Sequence, residues 1–248
     1  MPAEARVTRW LLMPILLAVM SAGRPAAALP VDLQLVLAVD VSRSIDAEEA
    51  RLQREGYLAA LAHPQVLQAI RSGAFGRIAV TYVEWAGSSY QRTVVDWSVI
   101  DGDASARPFI EKLAEAAYMS RNWTSISGAI DYAMDMFQHP AGFESTRRVI
   151  DISGDGRNNE GREADEARDE AVAAGVTING LPIVNDRPNF GRPPEADLDI
   201  FYREHVIGGP GAFLIVAENF SSFASAILNK LIREIAGEPP AVASAEGD

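Results

Sequence analysis

Three short, almost uninterrupted apolar runs constrain this chain more than any other feature of it. Residues 33–39 read Leu-Gln-Leu-Val-Leu-Ala-Val, residues 77–85 carry Ile78, Val80, Tyr82 and Val83, and residues 148–153 carry Val149, Ile150 and Ile152; residues 176–184 read as another strand. A strand with one wet face alternates apolar and polar residues. A run this continuous and this short suits a strand buried on both faces. Between the runs the apolar spacing changes to a helical period. It falls at 106, 109, 110, 113 and 117, again at 126, 129, 130, 133, 134 and 137, and last from Phe220 to Ile235. Asp46 with Glu49 three residues on forms a capping-box start for an earlier helix, which Pro64 ends. Residues 163–174 give an acidic, Ala-rich helix closed by Gly175. Strands alternating with crossover helices predict a doubly wound α/β fold: a mostly parallel sheet with helices on both faces.

Further strands are expected at 92–97, as hairpin partner of 77–85 across Gly87, Ser88 and Ser89, and at 212–217. Residues 185–211 are rich in Pro and Gly and read as a long surface excursion, with a short helix at 198–206. Residues 1–28 carry Arg6 and Arg9, then an apolar run from Trp10 to Ala22 broken by Pro14, then Ala26, Ala27 and Ala28. This is the pattern of a secretory signal peptide cleaved after Ala28, and it is too short for a membrane span. The expected organisation is therefore a signal peptide over 1–28, one domain over 29–236 and a disordered Pro/Ala/acidic tail over 237–248.

Charge and residue usage narrow the function. The net charge is −12, and becomes −14 once residues 1–28 are removed. Such a chain lacks the basic footprint of nucleic-acid binding and is repelled by anionic membranes. It has no cysteine, which removes disulfides, thiolate metal sites and cysteine nucleophiles. His63, His139 and His205 stand in no metal-ligand spacing and read as surface or packing residues.

In a parallel sheet, ligands bind beyond the carboxyl ends of the strands. Oxygen-bearing segments stand at such places. Asp40, Ser42 and Ser44 alternate directly after the first strand, Thr124 precedes a helix, and Asp155 lies between Gly154 and Gly156 after the 148–153 strand. Two carboxylates and three hydroxyls suit a hard divalent cation. Trp123, Asn158 and Asn159 are candidates for the rim of such a site, where a partner would dock, although packing and turn chemistry explain them as well. Asp46 already offers a cap for the first helix, so Asp40 and Ser44 need not serve as one.

The pattern Asp40-x-Ser42-x-Ser44 with a remote Thr124 and Asp155-Gly156 resembles the metal-ion-dependent adhesion site (MIDAS) of von Willebrand factor A (VWA) domains. The likeness spans roughly 31–235. The stretches 35–46, 124–130 and 151–159 look like a bacterial exported VWA-like family of unknown function. The resemblance implies a six-stranded sheet with one antiparallel edge strand. It implies that Ser42, Ser44 and Thr124 bind metal directly, with Asp40 and Asp155 acting directly or through water. It implies a divalent cation, Mg²⁺ first with Mn²⁺ or Ca²⁺ as alternatives, and a protein partner offering an acidic group. Together with the signal peptide, it points to a periplasmic or secreted binding module. Two other readings stand beside this one. In the first, the ion activates water for hydrolysis, with Glu160 the nearest candidate base. In the second, the excursion at 185–211 makes the contacts instead.

Overall fold

The computed structural model describes residues 28–138, 142–184 and 195–237. Residues 1–27 of the expected signal peptide, His139, the first part of the excursion and the tail from 238 lie outside the described residues. Near the start of the described residues lies a small parallel pair, β1 (Leu29–Pro30) beside β5 (Phe143–Glu144).

The central strand, β2 (Gln34–Asp40), is buried at every position. Its alternate side chains enter two different cores. Leu35, Leu37 and Val39 face one layer of helices, and Val36 and Ala38 face the other. That division accounts for the continuous apolar run. Around β2 lies a sheet of order β4-β3-β2-β6-β7. Its other members are β3 (Ile78–Trp85), β4 (Gln91–Ile100), β6 (Arg148–Gly154) and β7 (Thr177–Pro182). All pairings are parallel except that of β4, which closes one edge antiparallel to β3.

The sixth strand expected at 212–217 runs beside β7 through isolated bridges rather than a regular ladder. Gly180 N–H donates to Phe213 O, and Ile215 N–H donates to Gly180 O. The next rung would need an N–H from residue 182, which is Pro182 and has none. Pairing resumes with Ala217 N–H donating to Pro182 O.

The first core is covered by α1 (Ala47–Leu61), α2 (Pro64–Arg71), α3 (Asp103–Glu115) and α7 (Phe223–Ala236). The Asp46–Glu49 capping box is formed, with Glu49 N–H donating to Asp46 Oδ1 and Asp46 N–H donating to Glu49 Oε2. Pro64 plays a different part from the one expected. The first helix stops at Leu61, and Pro64 opens α2 at the position where a missing N–H costs nothing. The second core is covered by α4 (Ile126–Gln138), α5 (Ala164–Ala173) and α6 (Leu198–Phe201), which runs on as a π-helical turn over Tyr202–Val206. The latter part of the excursion is thus not a surface loop, since Leu198, Tyr202 and Val206 are core residues. No helix among the described residues is long and apolar enough to cross a membrane.

Candidate functional site

The chain leaves β2 towards β3 on one side, and β6 lies on the other. The carboxyl ends of β2 and β6 therefore flank the point where strand order reverses, with Val39 opposite Ser153. The two acid-bearing loops emerge side by side. Asp40 ends β2 and is fully buried. Ser42 N–H donates to Asp40 Oδ1 at 2.6 Å, which turns the loop tightly. Ser42 Oγ lies 2.8 Å from Ser44 Oγ, and Ser44 Oγ donates to Asp155 Oδ1 at 2.6 Å. One chain of oxygens so connects residues 111 positions apart.

The segment carrying Thr124 is tied down by main-chain bonds. Arg121 N–H donates to Val41 O at 3.1 Å and Ser125 N–H to Ala86 O at 2.7 Å. Thr124 and Asn159 exchange two bonds: Thr124 N–H donates to Asn159 Oδ1 and Asn159 N–H to Thr124 O, each 2.8 Å. A Cβ placed on Gly156 would stand 3.5 Å from Thr124 Oγ1, so the threonine hydroxyl lies against the backbone that follows Asp155. All five predicted oxygen donors are drawn to this end of the sheet.

The electrostatics are those of acids held close together. Burial pushes the Asp40 carboxyl well above its ordinary range, and the charge of Asp155 adds to the shift; the Ser42 amide partly offsets it. Burial also pushes Asp155 up, to about 7, against the Ser44 hydrogen bond and with help from Glu49 and Glu195. The charges that weigh most on each carboxylate are other acids, which is the field a cation would relieve. Asp40 Oδ2 is buried and makes no hydrogen bond of normal geometry. An orphaned buried carboxylate oxygen is costly, and it fits a group that an added ion would satisfy. Oxygens bound about 2.0–2.1 Å from an octahedral ion stand about 2.9 Å from one another. The observed spacings of 2.6 and 2.8 Å are close to that edge. Among the described residues no group of three or more His, Cys, Asp or Glu side chains is placed to hold a metal. The hydroxyls are therefore needed for this donor set, which fits a hard cation.

The rim residues divide. Trp123 is 62% exposed, immediately before buried Thr124, in left-handed backbone (φ +67°). It projects to solvent rather than packing in the core. Asn158 and Asn159 have their carbonyl oxygens turned inward. Asn158 Oδ1 accepts from Ser127 N–H at 3.1 Å in the first turn of α4, and Asn159 holds Thr124. The carboxylate of Glu160 accepts from Ser88 N–H at 2.6 Å, across the rim on the β3–β4 hairpin. His63 caps α2 and His205 stacks on Phe201, both as packing residues.

Two contributors were invisible in the sequence. Glu195 Oε2 accepts from Arg157 N–H at 3.0 Å, and the Arg157 guanidinium donates to Ala196 O and lies over Phe201. These bonds fasten the excursion to the loop after Asp155. Tyr202 then reaches beneath the site, fully buried. Its nearest sequence signal is the pair Gly154 and Gly180, whose absent side chains leave room for it.

A family model described as a protein of unknown function, DUF1194, matches residues 30–239. No curated protein matches the chain. Several solved structures share the fold at low identity. Proximal thread matrix protein 1 from the mussel byssus superposes with a TM-score of 0.60 at 15% identity, over 84% of this chain and 49% of that one. A second structure of that protein, with TM-score 0.58 and 12% identity, has a zinc-occupied MIDAS motif. The pilus adhesin SpaC from Lactobacillus rhamnosus GG gives 0.59 at 12% identity, over 83% of this chain and 31% of that one. A von Willebrand factor type A protein from Catenulispora acidiphila gives 0.53 at 14% identity, over 83% and 43%. The chain spans half or less of the length of these proteins. The fold is that of a VWA-like domain.

Proposed function

Since the chain belongs to DUF1194, a family of proteins of unknown function, we propose from the site itself that it is a metal-dependent binding module. A divalent cation, Mg²⁺ in the first instance, is held at Asp40, Ser42, Ser44, Thr124 and Asp155. When bound, it supplies a Lewis-acidic position for an outside oxygen ligand. The observation that carries this reading is the buried Asp40 carboxylate, whose Oδ2 makes no hydrogen bond of normal geometry, next to the Ser42–Ser44–Asp155 chain of oxygens. Hydroxyls bring no charge, so the ion stays electrophilic towards an acidic side chain of a protein partner. Trp123, exposed at the rim, offers that partner a large apolar contact of the type that dominates interfaces. Asn158 and Asn159 serve the same surface by fixing α4 and Thr124. A non-catalytic role is favoured over hydrolysis because the nominated base, Glu160, is engaged by the Ser88 amide.

Export belongs to the same proposal. The signal peptide ends at Ala28, and among the described residues the next one already pairs, with Leu29 N–H donating to Gly142 O at 2.7 Å. The mature module then acts in the periplasm or outside the cell, unattached to the membrane. The test is a titration of the chelator-treated domain with Mg²⁺, Mn²⁺ and Ca²⁺ by calorimetry, followed by capture from an envelope fraction with and without EDTA. Saturable binding to wild type, lost in Asp40→Ala and in Thr124→Val, with metal-dependent capture, is expected. Binding that survives in both variants would remove the reading.

A further inference from the structure

The ring of Tyr202 occupies a slot built for it. A Cβ on Gly180 of β7 would stand 2.9 Å from Tyr202 Cδ1, and a Cβ on Gly154 of β6 would stand 2.9 Å from the Tyr202 hydroxyl oxygen. Either contact is closer than real Cβ atoms come, so the two glycines are what admit the ring across the ends of β6 and β7. The same Cβ position on Gly154 is 2.9 Å from Asp40 Oδ2. The tyrosine hydroxyl and the free oxygen of Asp40 therefore meet over one glycine, no more than about 5.8 Å apart. Both are buried, and neither makes a hydrogen bond of normal geometry. Each buried polar atom without a partner carries a desolvation cost, so a bridge between these two would relieve both.

The backbone that delivers Tyr202 is unusual in the same way. Tyr202 opens the π-helical turn, with Ile207 N–H donating to Tyr202 O at 2.9 Å. Such turns are rare and concentrate at functional sites. The segment before it is clamped to the loop carrying Asp155 by Arg157 and Glu195.

We propose that Tyr202 is a positioning residue of the ion site. Its hydroxyl reaches Asp40 Oδ2 through one bridging water, while Ser42 N–H holds Oδ1, so the carboxylate presents fixed lone pairs to the cation. This rests on the reading of the site as a cation site. It adds that the excursion after β7 sets the affinity of that site.

The test uses the chain over 29–248 and Mn²⁺ as probe, with Tyr202→Phe, Gly154→Ala and, as a control, Tyr118→Phe, whose hydroxyl donates to Ile45 O instead. Partners of this kind change metal affinity by roughly 10- to 100-fold. Tyr202→Phe is expected to weaken Mn²⁺ binding by about tenfold or more on that scale, while the chelator-treated protein melts no lower than wild type, because an orphaned hydroxyl has gone. Gly154→Ala, which drives a methyl between the two oxygens, is expected to weaken Mn²⁺ binding as well. A metal-induced tyrosine difference spectrum in wild type is expected to persist in Tyr118→Phe and vanish in Tyr202→Phe. If wild type and Tyr202→Phe bind Mn²⁺ within twofold of each other, Tyr202 has no such role although the cation site stands. If wild type binds no Mn²⁺ at all, the cation reading and this proposal fall together.

Discussion

Strand β6 carries two acidic clusters four residues apart, and they solve the same problem in opposite ways. Asp151, in mid-strand, faces α7. Its carboxylate lies 2.6 Å from Nζ of Lys230, which is fully buried and also bonds Glu234 one turn on. Asn179 Nδ2 donates to Glu234 Oε1 at 2.9 Å, and Asn179 Oδ1 accepts from Phe213 N–H. The cluster has its cation supplied from within the chain, although Asp151 Oδ2 and Glu234 Oε2 make no hydrogen bond of normal geometry. Asp155, at the strand's end, meets Asp40 and the three hydroxyl residues, and the charges that act most on this pair are those of further acids. The first cluster holds α7 to the sheet. The second is drawn together at the edge of the core, and under the proposed function its cation comes from outside the chain.

Removing the internal cation should have the largest effect. Lys230→Met strands two carboxylates in the core and is expected to cost about 3–5 kcal/mol in chemical denaturation, the usual penalty for breaking a buried pair. Asp155→Asn is expected to leave the metal-free protein as stable as wild type or more so, since it removes an acid from among acids, while abolishing the stabilisation by Mn²⁺. An Asp155→Asn variant as damaged as Lys230→Met would erase the distinction between the clusters.

Acidity gives an intermediate effect. Burial, with the charge of Asp151, pushes Glu234 up to about 7 against the pull of Lys230, and burial raises Asp151 in the same direction. A carboxyl raised in the folded state takes up its proton more readily there than when unfolded. Its contribution to stability is therefore complete below the unfolded value, near 4.5, and is lost as pH rises through about 7. With metal chelated, denaturation midpoints should fall across that interval by at least about 1.4 kcal/mol, the equivalent of one pKa unit. Glu234→Gln should flatten the slope, and Asp155→Asn should leave this part of it in place. A slope unchanged in Glu234→Gln would show that the core cluster does not titrate.

The smallest effect concerns the rim. A non-glycine residue in left-handed backbone costs about 1–2 kcal/mol, and glycine returns part of that as lost chain entropy, about 0.5–1 kcal/mol. Trp123→Gly should leave stability unchanged or raise it by up to about 1.5 kcal/mol by this balance. It should also weaken capture of the partner without changing Mn²⁺ affinity. A destabilised Trp123→Gly would mean that the indole packs rather than recognises.

The alternating strand and helix periods, the capping box at Asp46 and the oxygen-rich loops after the strands were all legible, because each depends on residues close in sequence. So was the gathering of Asp40, Ser42, Ser44, Thr124 and Asp155 at one end of the sheet, because the loops at the strand ends of a doubly wound sheet are forced to one edge. The helix region does end before Pro64, but that Pro64 opens a second helix was missed, since a proline at a first helical position and one just past a helix end look the same in sequence. The sixth strand was weakened by Pro182, one missing N–H in an otherwise parallel ladder.

What the sequence determined by itself was the alternation of buried strands and amphipathic helices, and with it the edge of the sheet where the acids must gather. Only the tertiary structure decided which acids would be neutralised from inside. Lys230 is 79 residues beyond Asp151, and Tyr202 is 162 beyond Asp40. No local propensity encodes either meeting. Both follow from how α7 and the turn after β7 pack on the sheet, where burial removes water and leaves each charge or hydroxyl to the groups that packing happens to place beside it.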